Sequence, residues 1–339
     1  MLDLQGVQTA STGALLERLA TLRELPDRSQ LQLVAEIGTR LERGHHLDNA
    51  KSQQGADAIE QVATAALETG RLDLAQTLIA RLNTRFRFEP RGLLRVNYLA
   101  GMILEARGDL AGARDYYVQK LKDDETDVAV RKRLAALHLS SPVVDLPTGS
   151  GASSTAKSSP NLAPYLSASL SRTEGIAQLV SYLDTYYLDM SSWLVLSSAY
   201  ASLAQYAPAL TALDHALVLA PHDPFVQLKY AETAYTAEKY DLAWKAFLRT
   251  IEMSTEKGDR VPLKGAARRA AMGAKLCIPR LQAAASAGKD APPAPPKLAE
   301  MDLLLSRLLL EASSKAPTKA AGVEELRSWL GNGDATAPK

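Results

Sequence analysis

The sequence contains very little cysteine: Cys277 is the single one among 339 residues. One thiol cannot form a disulfide framework or a multi-thiolate zinc site, which points to a protein of a reducing compartment. No asparagine is followed two places on by serine or threonine, so no N-glycosylation acceptor is present. Cys277 lies between Leu276 and Ile278 and is expected to be a small buried hydrophobe.

Net charge is also nearly absent, because 39 Lys+Arg against 38 Asp+Glu leave a formal charge of +1. This balance excludes an overall electrostatic attraction to nucleic acid or acidic lipid, so any charged site must be local. Long apolar runs are missing as well, and Asp3 precedes every basic residue at the N-terminus. We therefore expect neither a signal peptide nor a membrane-spanning helix.

Motifs of catalysis and metal binding are missing too. HExxH, GxSxG, Walker and CxxC motifs do not occur, so we predict a protein without enzymatic activity, cofactor or metal site. The adjacent His45 and His46 are expected to lie in a solvated turn. His138 and His215 are expected to pack within the repeats described next.

The residues that are present indicate helices and an internal repeat. Aromatic residues make up 6% of the chain and period-two alternation is rare, whereas Ala and Leu dominate, which favours helix over sheet. One segment matches the 34-residue tetratricopeptide unit, in which two helices approach through small residues. Its signature positions are occupied by Trp193, Leu196, Ser197, Tyr200, Ala209, Leu213, Ala216 and Pro221. Adding 34 gives the equivalent Ala231, Ala243 and Phe247 of the next unit.

The same register continues upstream. The second helix of the first repeat opens at Ala75 and that of the next repeat at Ala113. These positions are 38 rather than 34 residues apart, so we place four extra residues in a loop near Pro90. The small residues of this register are Ala63, Ala75, Gly101, Ala113, Ala135 and Gly175. Each helix pair leaves an apolar face that only the next pair can cover. We therefore predict an all-α, right-handed superhelical solenoid of tetratricopeptide repeats with N- and C-terminal capping helices.

The predicted organisation follows from this register and from Pro, Gly and Ser clusters. It comprises an N-terminal helical cap at 1–55, two repeats and the first helix of a third at 56–140, a flexible insertion at 141–170, the rest of the third repeat and two more repeats at 171–257, a further helix at 258–284, a Pro-rich break at 285–297, closing helices at 298–330 and a disordered tail at 331–339.

A local cluster of positive charge is the one candidate functional feature. Arg131, Lys132 and Arg133 are consecutive, and Arg81 and Arg85 precede them by one to two units. Lys132 occupies the fifth position of its unit, which faces the groove in tetratricopeptide geometry. These residues are interpreted either as a solvated charged face or as a basic strip for an acidic partner segment or a lipid-proximal surface.

Several strings resemble the family of ER membrane protein complex subunit 2. They are EQVATAALETGRLDLA at 60–75, LAGM at 99–102, AVRKRLA at 129–135 and EGIAQLVSYL at 174–183. The resemblance extends over roughly residues 10 to 280, and the chain is identified as a fungal-type member. The alternative is a tetratricopeptide adaptor or co-chaperone of another cytosolic assembly. The Lys and Asn pattern with which such co-chaperones grip a C-terminal carboxylate is absent.

The resemblance implies a non-catalytic scaffold, peripheral on the cytoplasmic face of the endoplasmic reticulum membrane. Its expected partners are cytosolic segments of subunits 1, 3 and 5, a soluble subunit of the 8/9 type and, transiently, membrane-protein clients. The implied process is insertion of tail-anchored and multi-pass proteins. Within it, Lys132 and Arg133 are expected to act by long-range electrostatics rather than through a fixed salt bridge.

Overall fold

The computed structural model describes residues 6–24, 30–47, 53–141, 170–254, 263–286, 295–314 and 323–330. Residues 142–169 of the predicted insertion, most of the Pro-rich break and the tail at 331–339 lie outside these residues. Every regular element in the described part is helical, which confirms the all-α prediction. The chain divides into two compact units, Met1–Tyr182 and Leu183–Lys339.

Unit 1, Met1–Tyr182, is built from consecutive antiparallel helix pairs. After a short 3-10 turn at Gly6–Gln8, its core extends through α1 to α5 and then through α5 to α7. The helices are α1 Thr12–Glu24, α2 Leu31–Arg43, α3 Gln53–Glu68, α4 Leu72–Phe86, α5 Pro90–Ala106, α6 Leu110–Asp123, α7 Val128–Leu139 and α8 Arg172–Thr185, whose last residues belong to unit 2.

Unit 2, Leu183–Lys339, continues the pattern and then has two longer helices of 22 and 17 residues followed by a short one of 8 residues. Its core is contributed by α10 to α15, with Phe247 and Trp244 as the large buried rings. The helices are α9 Met190–Ser202, α10 Tyr206–Leu219, α11 Pro224–Thr236, α12 Tyr240–Ser254, α13 Gly265–Ser286, α14 Leu298–Ser314 and α15 Val323–Leu330.

Aspartates start many of the helices. Asp109 accepts a hydrogen bond from the backbone N–H of Gly112, and Asp127 does the same for Val130. Asp189 and Asp223 cap α9 and α11 in the same way. A capping side chain satisfies a backbone N–H that has no partner inside the helix, typically stabilising it by about 1 kcal/mol.

The turn between the two helices of a repeat requires a left-handed residue. In unit 1 these residues are Gly70 and Gly108, with φ of 78° and 82°. In unit 2 the equivalent turns use Ala204 and Glu238, with φ of 56° and 60°. Only glycine adopts this region without steric cost, so the two units meet the same geometric demand differently.

Small residues lie where helices cross closely. A Cβ atom on Gly101 of α5 would lie 2.0 Å from the Tyr117 ring of α6. A Cβ on Gly175 of α8 would lie 3.1 Å from the backbone oxygen of Ala135 of α7. The contact between α7 and α8 pairs the two helices that the 34-residue register assigns to the third repeat, on either side of the predicted insertion.

The remaining signature residues divide by burial. Trp193 and Tyr200 are half-buried, and Pro221 is exposed in the turn after α10. The buried positions are Ala63, Ala75, Ala113, Ala135, Leu196, Ser197, Ala209, Leu213, Ala216, Ala231, Ala243 and Phe247.

Candidate interaction surface

The three consecutive basic residues of α7 have different surroundings. Arg131 donates from Nη2 to the backbone carbonyl of Glu125 at 2.9 Å. The ammonium of Lys132 lies 5.7 Å from the centre of the Tyr182 ring, a cation–π distance. All three basic side chains are half-buried, so their stems contribute to packing as well as charge.

Arg133 is held by a bidentate ion pair. Its Nε and Nη2 donate to the two carboxylate oxygens of Glu105 on α5 at 2.8 and 2.7 Å. The buried Tyr117 donates its hydroxyl to the same carboxylate at 2.6 Å. Burial and the charge of Glu105 raise the pKa of Tyr117 above its usual range. The prediction that Arg133 acts without a fixed salt bridge is therefore wrong.

Arg81 and Arg85 on α4 take part in other contacts. Arg81 forms a bidentate pair with Glu42 on α2, at 3.0 Å from Nη1 and 2.5 Å from Nη2. Arg85 stacks its guanidinium 5.3 Å from the centre of the Phe86 ring. Because Arg81 binds α2 whereas Arg133 binds α5, the structure does not join the basic residues into one contact.

A series of ion pairs and hydrogen bonds joins α1, α3 and α5 of unit 1, and the sequence analysis did not predict it. We call its members Arg23, Asp57, Glu60, Arg95 and Tyr98 the charge ladder. Asp57 of α3 accepts from Arg23 of α1 at 3.4 Å and from Arg95 of α5 at 2.6 Å. Arg95 also donates from Nε to Glu60 at 2.9 Å, and the Tyr98 hydroxyl donates to Glu60 at 3.1 Å. Asp57 and Arg95 are 38 residues apart, as are Glu60 and Tyr98. Comparing charges at that repeat distance could have predicted the ladder.

The ladder perturbs the tyrosine at its end. Burial and the neighbouring charge of Glu60 raise the pKa of Tyr98 to about 12. The phenol therefore remains protonated as a hydrogen-bond donor over the whole physiological range. The carboxylates and guanidiniums of α1, α3 and α5 thus neutralise one another, and this face of unit 1 carries less free charge than the sequence suggests.

In unit 2, the first helices of successive repeats, α9 and α11, are joined by a lysine rather than by an arginine–carboxylate pair. Lys229 of α11 donates from Nζ to the Ser198 hydroxyl at 2.5 Å and to the Leu194 carbonyl at 3.2 Å. Burial lowers the pKa of this ammonium. Glu232, one turn further along α11, pairs with Arg269 of α13 at 2.6 Å.

The histidines and the cysteine are placed individually. His138 is buried, and its Nδ1 accepts from the backbone N–H of Ser171 at 3.3 Å. Its pKa is lowered by burial. His215 stacks on Trp193 with ring centres 4.3 Å apart. Burial raises the pKa of the Cys277 thiol to about 12.

Two further observations concern the described residues as a whole. They bring together no group of three or more His, Cys, Asp or Glu side chains that could hold a metal ion. Among the helices of the described part, none combines the length and apolar character needed to cross a bilayer.

Comparison with known proteins adds sequence relatives. TPR repeat protein oca3 of Schizosaccharomyces pombe is 27% identical over 241 residues, covering 70% of this chain and 73% of the relative. ER membrane protein complex subunit 2-B of Xenopus laevis is 28% identical over 244 residues, covering 70% and 69%. The chain has the tetratricopeptide-repeat fold that the sequence predicts. Its predicted resemblance to ER membrane protein complex subunit 2 is confirmed.

The other comparisons are weaker. No family model matches the sequence. Among solved structures, the C-terminal part of a TPR repeat-containing protein from Cytophaga hutchinsonii aligns with 93% of the chain and 97% of its own length. The TM-score of that alignment is 0.49 at 14% identity, too low to add to the assignment.

Proposed function

We propose that the chain is a non-catalytic scaffold subunit of an ER membrane protein complex. The observation that carries this proposal is the similarity to subunit 2 proteins over 70% of the chain. Stacked helix pairs with exposed helix faces are suited to holding partner segments, since a repeat array presents an extended surface. On this proposal the chain lies at the cytosolic face of the endoplasmic reticulum membrane and is held there by other subunits.

The partners of the scaffold are cytosolic segments of subunits 1, 3 and 5 and a soluble subunit of the 8/9 type. Through them the chain supports insertion of tail-anchored and multi-pass proteins. The ion pairs of unit 1 refine the role of its basic residues. Arg81 and Arg133 hold neighbouring helices in place, whereas Arg131 and Lys132 provide the positive charge that attracts acidic partner or client segments.

Purification from membranes tests this function. The full-length chain with an affinity tag replaces the native copy in its own host, and detergent-solubilised membranes are loaded on the affinity resin. We expect the other subunits of the complex to co-elute in constant ratio, and to be missing when the tag is carried by an unrelated cytosolic protein. Elution of the chain alone, or with soluble proteins only, would contradict the proposal.

A further inference from the structure

Hydrogen bonds hold the start of α8 against the end of α7. The Nδ1 atom of His138 accepts from the backbone N–H of Ser171 at 3.3 Å. The Ser141 hydroxyl donates to the Leu170 carbonyl at 3.4 Å, and Arg172 donates from Nη2 to the Ser141 carbonyl at 2.6 Å. We call these five residues the α7–α8 joint. Because the joint contacts the residues at which α8 begins, it fixes the first turn of that helix.

His138 is the member of the joint whose charge can change near neutral pH. Its side chain is 6% exposed, and its Nδ1 faces an N–H donor, so the neutral imidazole with an unprotonated Nδ1 is the form that fits. In the imidazolium both ring nitrogens are donors. Protonation therefore removes the acceptor for the Ser171 N–H and at the same time places a charge in a buried site.

The charged groups around His138 act in both directions. Burial is the main cause that lowers the pKa of His138, and the charge of Arg114 on α6 also lowers it, whereas Glu174 on α8 raises it. Glu174 is exposed, so solvent screens its attraction for an imidazolium. Arg172 of α8 adds a second positive charge to the joint, and Glu105 of α5 is already bonded to the guanidinium of α7 described above. These groups do not provide a buried anion for a charged His138.

Other contacts between α7 and α8 do not involve histidine. Gly175 of α8 lies against the backbone oxygen of Ala135, and the Lys132 ammonium lies 5.7 Å from the centre of the Tyr182 ring. Lysine and tyrosine ordinarily titrate near pH 10, so these contacts should persist in mild acid. Acid should therefore weaken the first turn of α8 rather than the whole helix.

We propose that His138 makes the α7–α8 joint acid-labile, so that protonation of its Nδ1 releases the first turn of α8 while the rest of unit 1 stays folded. A solvated imidazole titrates near pH 6.5, and the pKa of His138 in the folded chain is lower. The joint is therefore complete above about pH 6.5 and weakens as the pH falls from there through the pKa of the folded chain. This device does not depend on the proposed function.

Hydrogen–deuterium exchange of the purified full-length chain at pH 7 and pH 5, corrected for intrinsic exchange rates, tests the joint. Exchange in peptides from the start of α8 should increase about threefold or more at pH 5, and peptides from α6 should change less. His138→Asn offers an acceptor oxygen that cannot be protonated and should abolish the increase. His215→Gln, at an exposed histidine, is the matched control and should retain it. No increase in the parent, an equal increase in α6, or an increase that persists in His138→Asn overturns the proposal.

Two variants that leave His138 in place test it as the titrating group. Glu174→Gln removes a charge that favours the imidazolium and should enlarge the ratio of exchange at pH 5 to that at pH 7. Arg114→Gln removes a charge that disfavours the imidazolium and should reduce this ratio. Effects on folding that are the same at both pH values cancel in the ratio. Ratios equal to that of the parent in both variants would contradict the assignment to His138.

Discussion

The two units of the molecule connect similar helix pairs by different interactions. In unit 1, arginine–carboxylate pairs join neighbouring repeats, as between Arg95 and Asp57 and between Arg133 and Glu105. In unit 2, α9 and α10 pack through apolar residues, and the ion pairs between helices involve α13. Successive repeats are thus joined by arginine–carboxylate pairs in unit 1 and, between α9 and α11 of unit 2, by Lys229 bonded to the uncharged oxygens of Ser198 and Leu194.

The largest expected effect comes from the close crossing in unit 1. Gly101→Ala places a methyl group against the Tyr117 ring, so overpacking should cost about 1 to 3 kcal/mol of unfolding free energy. Gly13→Ala is the matched control, because nothing lies within 4 Å of its Cβ position. Urea denaturation of both variants measures the difference. Equal stability of the two would show that α5 and α6 are not packed as described.

The ion pairs of unit 1 can be tested against a surface pair in unit 2. Arg133→Met leaves the largely buried Glu105 carboxylate without its guanidinium, which should cost about 1 to 3 kcal/mol. Lys245→Met removes an exposed pair with Asp241 and should cost less than about 0.5 kcal/mol. Chemical denaturation measures both, and similar values would mean that the pair with Glu105 does not stabilise unit 1.

Alkaline pH should weaken the ladder of unit 1. The pKa of Tyr98 is about 12 in the folded chain and about 10 in the unfolded chain. The folded state therefore retains a proton that the unfolded state loses. The contribution of Tyr98 to stability is complete below about pH 10 and declines as the pH rises towards 12. Tyr98→Phe should flatten this part of the stability profile, measured by urea denaturation at successive pH values. An unchanged slope would exclude Tyr98 as the cause.

Substitutions at the left-handed turn residues should change stability in opposite directions in the two units. Glu238→Gly should stabilise unit 2 by about 0.5 to 1 kcal/mol, because glycine adopts φ of 60° without steric cost. Gly70→Ala should destabilise unit 1 by about 1 kcal/mol for the same reason. Thermal melts of the two single variants compare them. A destabilised Glu238→Gly would indicate that the side chain has a role beyond the turn.

The smallest effect on folding is expected at Lys132. Lys132→Glu removes a cation–π contact between a half-buried ammonium and the Tyr182 ring, so the unfolding free energy should decrease by about 0.5 kcal/mol, the low end for such contacts. Insertion of a tail-anchored client into microsomes should nevertheless decrease. Added salt should reduce the difference, since the Debye length is about 8 Å at physiological ionic strength. Unaltered insertion with intact assembly would mean that Lys132 is simply part of a solvated face.

The sequence predicts the helices and their register better than their contacts. Gly101 is identifiable because it recurs at a small-residue position, but the Tyr117 ring that requires it is not. The basic run at 131–133 is visible, whereas the pairing of Arg133 with Glu105 depends on how α5 and α7 face each other.

The single cysteine has a practical consequence. Cys277 is buried in α13, and its raised pKa leaves the thiol protonated at neutral pH. Reaction with alkylating reagents requires the thiolate, so the folded chain should be labelled slowly. A cysteine introduced at an exposed position will therefore accept a fluorophore selectively without removal of Cys277. The rate at which Cys277 itself becomes labelled reports how often unit 2 opens.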